Sequence, residues 1–186
     1  MKERKTIALD VDGVLADFIT PTLDHINRVT RNTYVKEDVK DFNIWSSLGL
    51  DRSQRYLSTL PLCQEGFCSN LLPIEGTQGL VAYLQKHFRV LAITTPWRAS
   101  PTWAFERTKW LNSYFNITDN DIVFCRDKSL IISDFFLDDN PYNILESSAV
   151  SPVLMDQPWN RDFVSLPRAV SFDNFVHFVM KNKENK

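Results

Sequence analysis

The sequence predicts an α/β fold, a doubly wound and mainly parallel sheet with a small helical cap inserted after the first strand. Three observations predict it. From residue 73 onward, short apolar runs alternate with stretches of helical period, joined by short links. The first apolar run, Thr6-Ile7-Ala8-Leu9, ends abruptly in Asp10-Val11-Asp12-Gly13. Between these regions, residues 32–72 keep neither period and are too long for a simple connection inside a compact unit. Alternating strands and helices bury their apolar faces best as a parallel sheet covered on both sides.

Length and composition bound the rest. The chain has 186 residues, enough for one full core with a small appended lobe. Its formal net charge of −2 supplies no basic field for nucleic acid or an anionic membrane surface. Cys63, Cys68 and Cys125 are odd in number and form no Cys-x-x-Cys, so reduced thiols and a cytosolic setting are expected. The charged start Met1–Lys5 leads into a run too short for a signal segment, and no stretch approaches a membrane span. The Lys/Asn tail from Lys181 to Lys186 reads as a solvated end, and the sequon at Asn116 as chance.

The elements follow in order. Thr6–Leu9 is a strand and Gly13 its turn. Ala16–Arg31 reads as a helix with Phe18, Leu23, Ile26 and Val29 on its apolar face, Pro21 being tolerated in the first turns and Asp17 complementing the dipole. Asp51 suits the N-cap of a helix through Tyr56 and Leu60. Trp45, Tyr56 and Phe67 suit the cap's own core. Gly76–His87 is a helix with Leu80, Tyr83 and Leu84 inward, and Phe88–Thr95 a strand stopped by Pro96. Pro101–Phe115 is a helix burying Trp103, Phe105, Trp110 and Leu111. Asp121–Cys125, Asp134–Leu137 and Val150–Met155 are strands; Tyr142–Ser148 and Phe172–Lys181 are helices. The organisation is then a Rossmann-like core of residues 1–17 and 73–186 with a helical cap of residues 18–72.

In such folds ligands bind beyond the C-terminal ends of the strands. Those ends carry Asp10 and Asp12, Thr94 and Thr95, Arg126-Asp127-Lys128, and Asp138-Asp139. Four carboxylates in one crevice repel, and a hard divalent cation with oxygen ligands, Mg²⁺, resolves the repulsion. A hydroxyl from Thr94 and a charge from Lys128 suit an anionic group. The set fits phosphoryl transfer: one carboxylate to attack, a second to move a proton, and cations to hold the charge. Trp97 and Arg98 follow the motif strand and stand where they can line the crevice. Asp127 and Asp134 read as local hydrogen-bonding residues, and His25, His87 and His177 have no catalytic partner nearby in sequence.

These residues resemble the haloacid dehalogenase superfamily, whose four motifs are matched in order by Asp10-x-Asp12, Thr94, Lys128 and Asp138-Asp139. Within it the chain is similar to the 5′(3′)-deoxyribonucleotidases, through Asp10–Phe18, Thr94-Thr95-Pro96, the spacing from Arg126 to Asp139, and Leu72–Gly76. The likeness covers the core from about residue 5 to 140 and is loose in the cap.

The resemblance implies a role for each matched position. Asp10 would be the nucleophile that forms an aspartyl-phosphate. Asp12 would protonate the leaving oxygen and then deprotonate water. Mg²⁺ would lie between the Asp10 carboxylate, the Asp12 main-chain carbonyl and Asp138, with Asp139 a further ligand or an acceptor behind them. Thr94, Thr95 and Lys128 would bind phosphate. Phe18, Phe42, Trp45 and Arg126 would contact substrate, the aromatic rings stacking on a base. An acid at position 12 points to phosphoesters, since dehalogenases of this superfamily lack one there. Thr95 stands where the animal enzymes carry Ser, so the likeness does not extend to a base preference.

The implied activity is Mg²⁺-dependent hydrolysis of nucleoside 5′-monophosphates, deoxyribonucleotides first. The alternatives are another small ester such as a sugar phosphate, a polynucleotide-end phosphatase, or an inactive binding protein. The missing basic patch opposes the polynucleotide-end phosphatase, and the intact motifs oppose the inactive binding protein. The expected partner is a small-molecule nucleotide, not nucleic acid or membrane, and related nucleotidases suggest a homodimer.

Overall fold

The structure is a computed structural model that describes residues 4–184; expectations for the first three and last two residues lie outside the described residues. Six parallel strands form one sheet in the order β3-β2-β1-β4-β5-β6. They are β1 (Thr6–Asp10), β2 (Arg89–Thr94), β3 (Ile122–Phe124), β4 (Phe135–Asp138), β5 (Ser151–Met155) and β6 (Arg168–Ala169). The helices are α1 (Ile19–Thr30), α2 (Ile44–Ser47), α3 (Arg52–Thr59), α4 (Thr77–Gln85), α5 (Trp103–Phe115), α6 (Pro141–Leu145) and α7 (Phe172–Lys181). The mainly parallel sheet expected from the sequence is thus parallel in every pairing. No helix among the described residues is long and apolar enough to cross a membrane.

Alternation along each strand divides two cores. Ile7 and Leu9 of β1, Val90 and Ala92 of β2 and Phe135 and Leu137 of β4 face α4, α5 and α7, where Leu84, Leu111 and Phe175 are buried. Ala8, Ile93, Phe136 and Leu154 face the other way, onto Ile144 of α6 and the loop residues Ile131, Phe163 and Leu166. β1 lies between β2 and β4, so the chain reverses its direction of travel across the sheet beside β1. The crevice of such a fold opens at that reversal.

The inserted helices form a third cluster, with Ile19, Leu23 and Ile26 of α1, Trp45 of α2, Leu62 and Cys68 packed with Trp103 and Trp159 of the α/β layer. The chain leaves and returns at one place. Ala16 bridges to Pro73, Asp17 N–H donates to the Leu72 carbonyl at 2.9 Å, and Ile74 N–H to that of Leu15 at 2.8 Å.

Several sequence expectations change. Residues 16–18 are not helical: Ala16 is drawn into bridges with Asp12 and Pro73, so α1 starts at Ile19, and the Asp17 carboxylate accepts from Thr20 N–H at the helix start. Asp51 does cap α3, but that helix turns Tyr56 and Leu57 outward, Tyr56 to 64% exposure. Phe105 is 63% exposed beneath the Lys109 ammonium, and on α4 Val81 is buried where Tyr83 was expected inward, because α4 packs along the stripe of Thr77, Val81 and Leu84 and α5 along that of Trp103, Trp110 and Leu111. The two-residue strand β6 gave no sequence signal; Leu154 N–H and Asp156 N–H define it by donating to carbonyls of the incoming chain. Asp134 is the local acceptor expected, taking Thr6 N–H at 2.8 Å. All three cysteines are unpaired with one another.

Phe175 of α7 is fully buried in the larger core. Phe175→Ala is expected to cost about 3–5 kcal/mol through lost transfer energy and the cavity left behind, measured as a lower denaturant midpoint at unchanged slope.

Candidate active site

β1 delivers Asp10 at its last position, and the chain must turn there. Gly13 makes the turn with φ +81°, a left-handed conformation that costs glycine little. It has a second reason to be glycine: a Cβ there would lie 2.2 Å from Asp139 Oδ2. Neighbouring β4 delivers Asp138 at its end and Asp139 one residue on. Oxygens of Asp10, Asp138 and Asp139, all three buried, lie within 4.8 Å of one another.

Lys128, in a short helical turn after β3, is the cation set into this cluster. Its Nζ donates to Asp10 Oδ1 at 2.6 Å and to Asp138 Oδ2 at 2.7 Å. Asp138 is held further by Asn143 Nδ2 at 2.9 Å and Asn140 N–H at 2.8 Å. Asn160 Nδ2 donates to the Asp139 carbonyl at 2.8 Å, and Gln157 Nε2 to the Gly13 carbonyl at 2.7 Å, fixing both loops. Burial, together with the neighbouring Asp138 and Asp12 charges, pushes the Asp10 carboxyl up to about 7 against the pull of Lys128. Burial and the charges of Asp10 and Asp138 push Asp139 well up too, and the same carboxylates hold Lys128 firmly protonated. Fully ionised, three carboxylates against one ammonium would leave two negative charges in a space lined by hard oxygen donors, which is the chemistry of a divalent oxygen-binding cation.

Asp12 stands apart from this cluster, with Oδ1 accepting from Arg107 Nη2 of α5 at 2.6 Å. Thr94, at the end of β2, is buried, and its Oγ1 has no hydrogen-bond partner among the described residues. Thr95 Oγ1 donates to the Cys125 carbonyl at 2.7 Å.

One cavity of about 380 Å³ joins these groups to the inserted helices. Every residue to which the resemblance gave a role lines it: Asp10, Asp12, Thr94, Thr95, Lys128, Asp138 and Asp139, and with them Phe18, Phe42, Trp45 and Arg126. Trp97 lines it as well, its ring 5.7 Å from that of Trp45, while Arg98 does not reach it. Phe42 is half exposed, whereas Trp45 is buried and bonded through Nε1 to Ser58 Oγ. Phe18 sits beneath, edge-on to Phe67 and Trp103. Sequence reasoning missed Asn143 and Trp159 on the wall and Arg107 behind it. Asn143 and Trp159 carried no local signal. Arg107 did: it lies four residues after Trp103 and three before Trp110, which places a lone charge on an apolar helix face.

The fold is that of the haloacid dehalogenase-like hydrolases. Solved structures of that type share the fold. A haloacid dehalogenase-like family hydrolase of Streptococcus pneumoniae superposes with TM-score 0.61 at 10% identity, covering 96% of this chain and 100% of that one. A haloacid dehalogenase hydrolase of Bacillus subtilis, bound to magnesium, superposes with TM-score 0.58 at 14% identity, covering 96% and 100%. Residues 4–185 match the model of the "5′ nucleotidase, deoxy (Pyrimidine), cytosolic type C protein" family. The 5′(3′)-deoxyribonucleotidase of Bacillus subtilis strain 168 is 31% identical over 164 residues, covering 86% of this chain and 89% of the relative, and that of Bacillus phage SPbeta gives the same figures. The chain belongs to this deoxyribonucleotidase family and is a phosphoric monoester hydrolase.

The raised carboxyls make stability depend on pH. An acid whose folded pKa exceeds its unfolded value of 3.8 stabilises the fold while protonated, and that contribution is lost as pH rises through about 7. With chelator present, the thermal midpoint is therefore expected to fall between pH 5.5 and pH 8, by roughly 5 °C. Asp139→Asn should flatten that slope; an unchanged slope would show that the cluster is not its source.

Proposed function

We propose that the protein hydrolyses nucleoside 5′-monophosphates, deoxyribonucleotides first, to nucleoside and phosphate through an aspartyl-phosphate on Asp10. The observation that carries this reading is the shared cavity, in which the carboxylate floor and the aromatic wall of Phe42, Trp45 and Trp97 face one space. A phosphate seated at the floor leaves the rest of a nucleotide against rings that stack on a base. A sugar phosphate has no use for that wall.

Mg²⁺ fits the three buried carboxylates and their two uncompensated charges. Asp10, Asp138 and Asp139, with the Asp12 main-chain carbonyl, would hold it, and when bound it would neutralise phosphoryl charge. The chain's own groups supply the remaining steps. Thr94 offers its unpartnered hydroxyl and Lys128 its ammonium to the phosphoryl oxygens. An Asp10 oxygen bonds to phosphorus as the ester P–O bond breaks, its electron pair leaving with the nucleoside oxygen, which takes a proton from Asp12. Water then bonds to phosphorus and gives its proton to Asp12, and the P–O bond to Asp10 breaks, restoring the carboxylate. Residues 18–72 act as the cap. They close over the cavity about the paired crossings at 16–18 and 72–74, which shuts water out during transfer.

Phosphate release from deoxy- and ribonucleoside monophosphates and from sugar phosphates tests this reading. Release is expected with Mg²⁺, to stop with chelator, and to be abolished in Asp10→Asn. Activity confined to sugar phosphates would overturn the substrate. Phe42→Ala is expected to raise KM for nucleotides about tenfold, the scale of one stacked base, and to leave KM for a sugar phosphate unchanged. Equal rises for both would remove Phe42 from base recognition.

A further inference from the structure

Arg107 is difficult to explain as a structural residue. It is fully buried, in the middle of α5. Among the described residues only Nη2 of its guanidinium nitrogens has a hydrogen bond, the 2.6 Å contact to Asp12 Oδ1, while Nε and Nη1 are buried without a partner. The guanidinium carbon lies 5.5 Å from the Trp103 ring centroid and 5.3 Å from that of Trp110. A buried charge with unpaired donors costs free energy, and an apolar side chain of similar shape usually serves a core as well or better. The Trp103 and Trp110 rings offset part of that cost, but they would pack as well against a methionine.

Other residues anchor α5 already. Glu106 accepts from Gly66 N–H and Ser69 N–H, both at 3.0 Å, and Trp110 Nε1 donates to the Leu71 carbonyl at 2.7 Å. Those bonds tie the helix to the chain returning from the cap without help from the guanidinium. The single directed contact left to Arg107 is Asp12.

We propose that Arg107 is a positioning residue for Asp12: buried beside the Trp103 and Trp110 rings, it fixes the carboxylate through Oδ1 and so assigns the proton transfers to Oδ2. This rests on the covalent reading above, in which Asp12 serves both half-reactions. Lysine cannot reproduce the contact, because its ammonium is a point charge on a flexible stem, without the rigid fork of a guanidinium.

The test uses the full chain with Mg²⁺ and p-nitrophenyl [³²P]phosphate, whose leaving group needs no proton. The P–O bond to p-nitrophenolate breaks with its electron pair as Asp10 is phosphorylated, so formation of the intermediate bypasses Asp12. Its hydrolysis does not, since water must still lose a proton. Arg107→Met is therefore expected to keep or raise the thermal midpoint. It should lower kcat about 100-fold, the scale of a general acid–base contribution, and accumulate acid-stable label near one equivalent. Arg107→Lys should lose about tenfold, between Met and wild type in that range.

Asp12→Asn is the control that separates the two readings. If neither Asp12→Asn nor Arg107→Met accumulates label, the covalent reading fails. If Asp12→Asn accumulates label and Arg107→Met does not, the covalent reading stands and the positioning role is overturned. Wild-type kcat in Arg107→Met, or a fall in thermal midpoint that accounts for the lost activity, would overturn it as well.

Discussion

Three buried carboxylates within 4.8 Å of one another are the constraint around which this molecule is built. Such a cluster is costly in a low-dielectric interior. The polar residues nearby are arranged to offset that cost. Lys128 enters from the far side of β2, Asn140 and Asn143 hold both oxygens of Asp138, and Asn160 and Gln157 tie down the two loops that carry Asp139 and Gly13. Even the missing side chain of Gly13 belongs to the arrangement, because any Cβ there would collide with Asp139. The sheet makes the cluster possible, since parallel neighbours bring Asp10 and Asp138 to the same edge.

A phosphate monoester supplies the complement to such a floor only if the rest of the substrate is also held. The inserted helices set Phe42 and Trp45 into the same cavity, and their cluster extends to share Phe18 and Phe67 with the α/β core. The two layers are therefore packed together through a few rings and joined by one pair of hydrogen-bonded crossings.

Helix α5 connects the layers. Trp103 belongs to the cap cluster, Trp110 to the sheet core, Glu106 binds the returning chain and Arg107 binds Asp12. Four side chains on two successive turns thus reach the returning chain, both cores and the Asp12 carboxylate. The helix stands directly after the Thr94 strand, so the buried Thr94 hydroxyl and the Arg107–Asp12 bond are set by the same stretch of chain.

The strands, their parallel class, the strand-end acids and the Asp51 cap were legible in the sequence because each is a local effect. Apolar runs of period two, a glycine that must follow Asp12, and an Asp three residues before a Gln all act over a few positions. Helix faces were less legible: Phe105, Tyr83 and Tyr56 point outward because the packing surface, not the residue's own hydrophobicity, selects the buried stripe. Strand β6 exists only through its neighbour.

The sequence by itself determined which side chains the strands end on. The tertiary structure alone decided which of those ends become neighbours, and hence the carboxylate cluster, the ring of Trp159 beside the substrate space, and the bond from Arg107 to Asp12 across 95 positions of chain. The reason is physical. Side-chain alternation and turns are fixed by backbone sterics over a few residues, whereas the order of strands in a sheet is fixed by which apolar faces must be buried together.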